Sequence, residues 1–491
     1  MSDLYKNLVE YSKSDYYPLH MPGHKRNVEM IEGENPYSYD ITEIEGFDNL
    51  HNPQGILRIA KEEAAGFYES DKTYFLINGS SCGILSAICG LTKRGDKILV
   101  ARNCHKSVYN AIYLNELTPV YIVPEYIEKY GINGGISPEK VADLLSINRD
   151  IKAVVITSPT YEGVVSDVKA IADIAHGAGI PLIVDEAHGA HFGMHRNLPK
   201  SALMEGADVV IQSLHKTLPS LTQTALLHVK SQIVDVREIE RYLAIYQTSS
   251  PSYVLISSID ECINRIKSDG MLLFEPYMKR MEILGNYISK LTELKIVGRD
   301  IIGENAVYDF DISKVVISVR GSSYSGKKVY DEMLEKFHLQ LEMASRDYAI
   351  AMTSVMDTEE GILRLFTAMT EIDRDMRIYG KDKMPIKIVD YAMSKPTVAE
   401  SIYKAVQSEK EEVSLGYEAV GKISAEYVYL YPPGVPVLAP GEVITTEIIK
   451  LLESYEDCGL EICGNEKSGR IKVIKEDFKR ISLTKGIYHI R

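Results

Sequence analysis

The sequence predicts an α/β fold in which a mainly parallel sheet forms a large domain, with a small α+β domain and a C-terminal domain beside it. From about residue 70 to 230, short β-branched runs alternate with amphipathic stretches, which is the pattern of strands joined by crossover helices. Polar clusters follow several of these strands at their carboxyl ends, where open α/β sheets place their ligands. The length of 491 residues suits two or three domains.

The elements of the large domain can be assigned in chain order. Apolar runs predict seven strands, at residues 73–77, 97–101, 119–123, 153–157, 181–186, 208–213 and 224–229. Amphipathic stretches between them predict helices at residues 80–93, 107–117, 137–147 and 167–179. The third of these helices opens with Ser-Pro-Glu, a typical helix start.

The order of the predicted strands and helices indicates the domain boundaries. We expect an N-terminal segment over 1–60, the large domain over 61–290, the small α+β domain over 291–375 and the C-terminal domain over 376–491. The end of the large domain, from about residue 232, is long and helical and suits a connector. The C-terminal domain contains a loop dense in Pro and Gly, residues 431–442.

Charge and composition exclude several classes of protein. The hydrophobic fraction is 45% and the charged fraction 25%, as in ordinary globular proteins, and the net charge of −14 makes nucleic acid an unfavourable partner. The sequence has no apolar run of membrane-spanning length and its N-terminus shows no secretory signal. The six cysteines are scattered without CxxC pairs. Together these features predict a cytoplasmic protein with reduced thiols and no membrane contact.

A lysine follows the sixth predicted strand, in Ser213-Leu214-His215-Lys216. An ε-amine at this position can form an imine with an aldehyde cofactor, and the Ser and His beside it can donate to a phosphate. Taken alone, the same lysine could simply extend its stem out of the strand end.

An acidic residue follows the fifth predicted strand, in Asp185-Glu186-Ala187-His188. A carboxylate there can keep a pyridine nitrogen protonated, and the imidazole of His188 can contact the same ring. Taken singly, Asp185 could equally be a capping or turn residue. A zinc site at His188 and His191 lacks ligand partners at suitable spacing, so we expect no metal.

Two strand-to-helix junctions complete the pattern. The turn at Ser80 and Ser81 brings hydroxyls to a helix start, which can bind phosphate, and His105 follows the second strand, where it can lie over a planar ring. Each junction alone could be only a helix cap. The four features in this order on one sheet point to one shared site.

These residues resemble those of the fold-type I pyridoxal-phosphate enzymes and, among them, the bacterial ornithine/lysine/arginine decarboxylases. The resemblance rests on ordered segments across most of the chain, at residues 20–26, 40–55, 75–83, 101–108, 158–167, 184–191, 212–229, 247–253 and 430–442. It implies pyridoxal 5′-phosphate as cofactor and decarboxylation of a basic amino acid for polyamine synthesis, with arginine favoured over lysine and then ornithine.

The resemblance also implies residue roles. Lys216 would carry the cofactor, Asp185 would pair with the pyridinium nitrogen, and His105 would stack on the ring. Ser80, Ser81, Ser213 and His215 would hold the phosphate, and His188 would stand where the family often has an aromatic residue. Glu442 would bind the distal cation of the substrate.

The resemblance further suggests the assembly and the alternatives. The chain begins almost at the segment 20–26, without the N-terminal wing of the larger members, so a homodimer or a dimer of dimers with interfacial active sites is expected. Another fold-type I reaction, such as transamination, and a catalytically silent binding paralogue are the alternatives. The proton donor after decarboxylation could be Lys216 or a histidine.

Overall fold

A seven-stranded sheet forms the centre of the large domain in the computed structural model, which describes residues 7, 10–27, 35–380, 384–386, 395–432, 434–464 and 469–475. Its strands are β1 (Lys72–Leu76), β2 (Lys97–Ala101), β3 (Thr118–Ile122), β4 (Ile151–Thr157), β5 (Leu182–Asp185), β6 (Val209–Gln212) and β7 (Ala225–Val229). Their order in the sheet is β1-β7-β6-β5-β4-β2-β3. The predicted α/β class and all seven predicted strands are therefore confirmed.

One strand runs against the others. β7 pairs antiparallel with both β1 and β6, whereas the remaining neighbours pair in parallel. The connection from β6 to β7 contains only a one-turn helix, Leu214–Thr217, and has no full crossover helix to return the chain for parallel pairing. The predicted mainly parallel sheet is therefore confirmed, and β7 is its antiparallel strand.

Helices cover both faces of the sheet. They are α1 (Ile56–Tyr68), α2 (Gly79–Leu91), α3 (Lys106–Leu114), α4 (Pro138–Ile147), α5 (Val168–Gly177), α6 (Leu214–Thr217), α7 (Val236–Tyr246) and α8 (Tyr253–Ile288). Ser137 caps α4 with Pro138 in its first turn, as the sequence predicts, and Asp167 caps α5. Because both faces are covered, every residue of β5 and β6 is buried.

The second domain is built on a four-stranded antiparallel sheet. Its strands are β8 (Lys295–Ile296), β9 (Lys314–Ser318), β10 (Met343–Ala344) and β11 (Tyr348–Met352), in the order β8-β9-β11-β10. Helices α9 (Gly326–Phe337) and α10 (Glu359–Tyr379) follow. The N-terminal strand Tyr17–Leu19 pairs with Leu339–Leu341, which joins the start of the chain to this domain.

The C-terminal region has its own apolar cluster. Helix α12 (Thr446–Glu456) packs with two small sheets, formed by Lys410–Ser414 with Arg470–Ile474 and by Val428–Leu430, Pro436–Leu438 and Ile462–Cys463. Helix α11 (Ile402–Gln407) contacts α3 and joins the core of the large domain. The predicted Pro-rich loop lies here, although Pro433 is outside the described residues.

Short elements connect the larger ones. They are the strand pairs Tyr126–Ile127 with Ile132–Asn133 and Val164–Val165 with Asp309–Phe310, and the 3-10 turns Pro36–Ser38, Arg299–Ile301 and Tyr417–Ala419. Within the part of the chain that the structure describes, no helix combines the length and apolarity needed to cross a membrane.

Candidate active site

Two adjacent strand ends carry the predicted lysine and aspartate. Strand β5 ends at Asp185, which lies opposite Ile211 of β6 in the parallel ladder. Directly after β6, the one-turn helix α6 carries His215 and Lys216. The sheet therefore brings Lys216 and Asp185 to the same edge.

The Lys216 amine lies inside this edge and contacts an imidazole. Its Nζ is 3.1 Å from Nε2 of His188. Burial lowers the pKa of Lys216, and the charge of Lys314 lowers it further, while the carboxylates of Asp185 and Glu342 oppose both effects. A lysine with a lowered pKa supplies the neutral amine that attacks a carbonyl carbon.

Asp185 is buried, with 4% of its surface exposed. Its Oδ1 accepts a hydrogen bond of 3.1 Å from the backbone N–H of Ala187. Burial raises the pKa of Asp185, and the charge of Lys216 with the Ala187 hydrogen bond counteracts this rise. A buried carboxylate held in this way is suited to bind a protonated ring nitrogen.

His188 connects Lys216 to a tyrosine and a second carboxylate. The ring of Tyr161 meets the His188 ring edge to face, with 4.5 Å between the centroids. The Tyr161 hydroxyl donates a hydrogen bond to Oε1 of Glu342, and Oε2 of Glu342 accepts one of 2.9 Å from the N–H of Met21. Glu342 is buried, and its negative charge counteracts the lowering of the Lys216 pKa.

Two hydroxyls meet at the start of α2. Oγ of Ser80 lies 2.6 Å from Oγ of Ser213, so the end of β6 and the first turn of α2 converge across β7. Gly79 begins the helix with a φ of +74°, a conformation that glycine adopts without strain. Ser81 is exposed. Ser80 and Ser213 thus form a pair of donors at a helix N-terminus, which is suited to an anion.

His215 and His105 flank the lysine. The ring of His215 hydrogen-bonds through Nδ1 to the carbonyl of Thr224 at 2.9 Å, and burial lowers its pKa to about 4. His105 caps α3 by accepting a hydrogen bond from the N–H of Ser107. Burial, helped by the charges of Lys216 and Lys106, lowers the pKa of His105 to about 3. Both imidazoles are neutral in the physiological range.

The predicted residue Glu442 lies in a different setting. Its Oε2 accepts hydrogen bonds of 3.0 Å from Arg102 and 2.8 Å from the N–H of Ala439, and both charged side chains of this ion pair are buried. Its Oε1 is buried without a partner. The structure records no contact between Glu442 and the residues around Lys216, so its predicted role in substrate binding stays a prediction.

Unsatisfied polar atoms after strands β2, β5 and β6 fit a polar ligand. Nδ1 of His188, Oδ1 of Asn103 and Oγ1 of Thr217 are buried without hydrogen-bond partners, although buried polar atoms usually have one. Together with the amine, the buried carboxylate and the hydroxyl pair, they match the donors and acceptors that pyridoxal phosphate requires. Among the described residues, no three His, Cys, Asp or Glu side chains are grouped to hold a metal ion.

The sequence did not identify three residues of this site. Tyr161 belongs to a segment that carried the family resemblance, but no role was assigned to it. Glu342 and Lys314 come from the second domain, and a Glu between two short strands has no distinctive pattern. Lys314 immediately precedes the apolar run 315–319, and a lysine joined to a buried strand was the one available signal.

Comparisons with known proteins agree with this geometry. Residues 2–323 match the sequence profile "Orn/Lys/Arg decarboxylase, major domain" and residues 382–470 match "Orn/Lys/Arg decarboxylase, C-terminal domain". An arginine decarboxylase of Bacillus subtilis (strain 168) is 34% identical over 96% of this chain and 98% of its own length. An inducible lysine decarboxylase of Escherichia coli (strain K12) is 24% identical over 97% of this chain and 82% of its own length. The crystal structure of a Francisella novicida lysine decarboxylase superposes with a TM-score of 0.75 and 20% identity, covering 96% of this chain and 80% of that one.

Proposed function

The chain belongs to the Orn/Lys/Arg decarboxylase family, and from this premise we propose that it converts L-arginine to agmatine and carbon dioxide. The chain is a decarboxylase of basic amino acids. The observation that favours arginine is that the curated relatives named arginine decarboxylase share 32–34% identity with it, whereas those named lysine decarboxylase share 24%. Lysine, which would give cadaverine, is the second candidate.

Pyridoxal phosphate is the cofactor that the family implies, and the residues at the sheet edge provide a place for it. Lys216 would carry it covalently, Asp185 would bind its ring nitrogen, and His105 would cover its ring. Ser80, Ser213 and His215 would hold its phosphate; for Ser81, which is exposed, the same role stays a prediction. When bound, this cofactor withdraws the electrons that the departing carbon dioxide leaves on the substrate Cα.

The chain's own residues manage the protons of the reaction. Loss of carbon dioxide leaves a carbon that must receive a proton to become the amine product. The Lys216 amine and Nε2 of His188, 3.1 Å apart, can exchange a proton between them. Because the pKa of each is lowered, neither holds that proton tightly. We assign the proton donor to this pair.

Two carboxylates are candidates for binding the distal cation of the substrate. Glu342 is held by hydrogen bonds from Tyr161 and Met21, and its negative charge favours the protonated form of Lys216. Glu442 has one oxygen free of partners but is bound to Arg102 through the other. We propose Glu342 for the contact with the distal cation, because its charge acts on Lys216 whereas Arg102 already pairs with Glu442.

The substrate is tested by presenting arginine, lysine and ornithine together and measuring the amines released. We expect agmatine to dominate, with labelled carbon dioxide formed in equal amount and no keto acid. Cadaverine as the main product would show that lysine, and not arginine, is the preferred substrate. Keto acid without carbon dioxide would indicate transamination. Lys216→Ala should lose both turnover and the visible absorbance of the cofactor-loaded protein.

The distal site is tested with a matched pair of variants. Glu342→Gln should raise the KM for arginine about tenfold or more, because a charge-assisted contact is lost. Glu442→Gln is the control of equal size and charge change. A larger KM increase in Glu442→Gln would restore Glu442 as the distal site.

The assembly is proposed to be a homodimer or a dimer of dimers, in the cytoplasm. Exposed apolar side chains on the N-terminal segment and α1 support contact with a second copy: Ile44, Phe47, Ile56 and Ile59 are each 44–55% exposed. Light scattering on the purified protein should give twice or four times the mass of 55.0 kDa. A monomer that remains fully active would refute the proposed assembly.

A further inference from the structure

A buried lysine of the second domain contacts the backbone of an active-site residue, His188. Lys314 is the first residue of β9, and only 1% of its surface is exposed. Its Nζ donates hydrogen bonds to Oδ2 of Asp311 at 2.9 Å, to Oγ of Ser313 at 3.0 Å and to the carbonyl of His188 at 3.4 Å. All three donors of the ammonium are therefore used.

A second contact ties the same turn to the second domain. Nε2 of His191 lies 3.1 Å from Oδ1 of Asp311, and both side chains are buried. Asp311 thus contacts His191 with one oxygen and Lys314 with the other. The turn from Asp185 to His191 is consequently fixed at His188 and at His191 by one buried cluster.

The buried ion pair is not explained by stability alone. Burying two charges is costly, and an apolar pair of similar volume often stabilises a fold as well or better. What this pair contributes is a fixed position for the His188 backbone. The imidazole of that residue is the group that contacts the Lys216 amine at 3.1 Å.

We propose that Lys314 is a positioning residue of the active site, which holds His188 and thereby its imidazole against Lys216. The inference rests on the proposed function, and it assigns to the reaction a cluster that the sequence comparison leaves without a role. Lys314 acts through His188 and does not itself touch the reacting atoms.

The charge of Lys314 has a second effect on the lysine. The groups that act on Lys216 are Asp185 and Glu342, which favour its cation, and Lys314, which disfavours it, together with the hydrogen-bonded His188. The charge of Lys216 in turn lowers the pKa of His105 and of His215, whose larger cause in both cases is burial. Loss of the Lys314 charge should therefore raise the pH at which the Lys216 nitrogen deprotonates.

The test uses the full-length, cofactor-loaded protein and two variants. Lys314→Met removes the charge and the contact to His188, and Asp311→Asn/Lys314→Met removes both charges together. We expect kcat to fall about tenfold in both, with KM changed less than about twofold, because a misplaced group and not substrate binding is affected. The pH midpoint of the visible absorbance should rise by roughly half to one unit in Lys314→Met and by less in the double variant.

Controls separate positioning from stability. Arg320→Met breaks another ion pair of the second domain, the partly buried pair with Asp347, and should lower Tm without moving the absorbance midpoint. Lys314→Arg keeps the charge and should restore the midpoint. If Lys314→Met does not fold, the double variant, which leaves no unpaired buried charge, decides the question.

Two results would overturn the inference. One is a wild-type kcat and absorbance midpoint in the double variant and in any folded Lys314→Met protein. The other is a loss of Tm equal to that of Arg320→Met with no spectral change. Failure of the proposed function is distinguishable, since it would appear as a wild-type chain that binds no pyridoxal phosphate or releases no carbon dioxide.

Discussion

Gly23, in the N-terminal segment, packs directly on the turn that carries the active-site lysine. Its N–H donates a 2.7 Å hydrogen bond to the carbonyl of His215, and its carbonyl accepts one of 2.6 Å from Ser354 of the second domain. A Cβ added at Gly23 would lie 2.8 Å from the backbone N and O of Leu218 and from the backbone C of Thr217. Gly23→Ala must therefore displace either the N-terminal segment or the lysine turn.

The size of the effect follows from that distance. Ordinary contacts between such atoms begin near 3.4 Å, so the backbone must separate by roughly 0.6 Å. Overpacking of this kind costs about 1–3 kcal/mol of folding free energy. A catalytic group misplaced by about 1 Å can lower the rate about a hundredfold, so we expect Gly23→Ala to reduce kcat by about tenfold.

The assay compares Gly23→Ala with Gly285→Ala under the same conditions. Gly285 lies in helix α8, and a Cβ added there would meet no atom within 4 Å, so its alanine variant should keep kcat and gain up to about 1 kcal/mol of stability. Both are followed by amine release, cofactor absorbance and thermal unfolding. Wild-type kcat and Tm in Gly23→Ala would show that the contact does not hold the lysine turn in place.

Three further predictions test other parts of the chain. Ser80→Ala should weaken pyridoxal phosphate binding about tenfold, because a hydroxyl donor is lost, and unchanged binding in an absorbance titration would contradict this. Arg102→Met should lower the free energy of unfolding by about 3–5 kcal/mol, because it leaves the Glu442 carboxylate buried without its ion-pair partner. The double variant Arg102→Met/Glu442→Gln should recover part of this loss, and an unchanged urea midpoint in Arg102→Met would refute the prediction. Burial lowers the pKa of His228 to about 3, so the imidazole is protonated more readily in the unfolded chain than in the folded one. The free energy of unfolding should therefore fall by about 1.4 kcal/mol per pH unit as the pH drops from about 6.5 toward 3. In His228→Asn, the slope of unfolding free energy against pH should be smaller by that amount, and an unchanged slope would refute this.

The predictable part of the site is the part carried by single strand ends. Asp185 and Lys216 each follow a continuous apolar run, and the carboxyl ends of neighbouring parallel strands must meet at one edge. The helix starts at Ser137 and Asp167 follow equally from local chemistry. In these cases the sequence pattern lies within a few residues, and the parallel sheet determines which strand ends meet.

What could not be predicted depends on contacts between distant segments. The Tyr161 hydroxyl donates to Glu342 across 181 positions of sequence. Tyr161 lies in a segment of the family resemblance, but no local pattern connects it with Glu342. The mainly parallel sheet was predicted, but the sequence did not indicate which strand is antiparallel: the residues of β7 are apolar like those of its neighbours, and the short connection before it decides the direction. The buried setting of Glu442 depends in the same way on Arg102, which lies 340 positions away.

The same distant contacts explain how a buried lysine amine can be kept available for chemistry. Asp185 from the large domain and Glu342 from the second domain favour its cation, whereas burial and Lys314, also from the second domain, disfavour it. The second domain thus contributes Glu342, which raises the pKa of Lys216, and Lys314, which lowers it. Because Lys314 also holds the backbone of His188, a displacement of the second domain would change the position of the imidazole and the charge at Lys216 together. We therefore expect a charge-removing substitution at the contact of Lys314 with the large domain to change both kcat and the absorbance midpoint, and a folded variant of this kind that changes neither quantity would contradict this account.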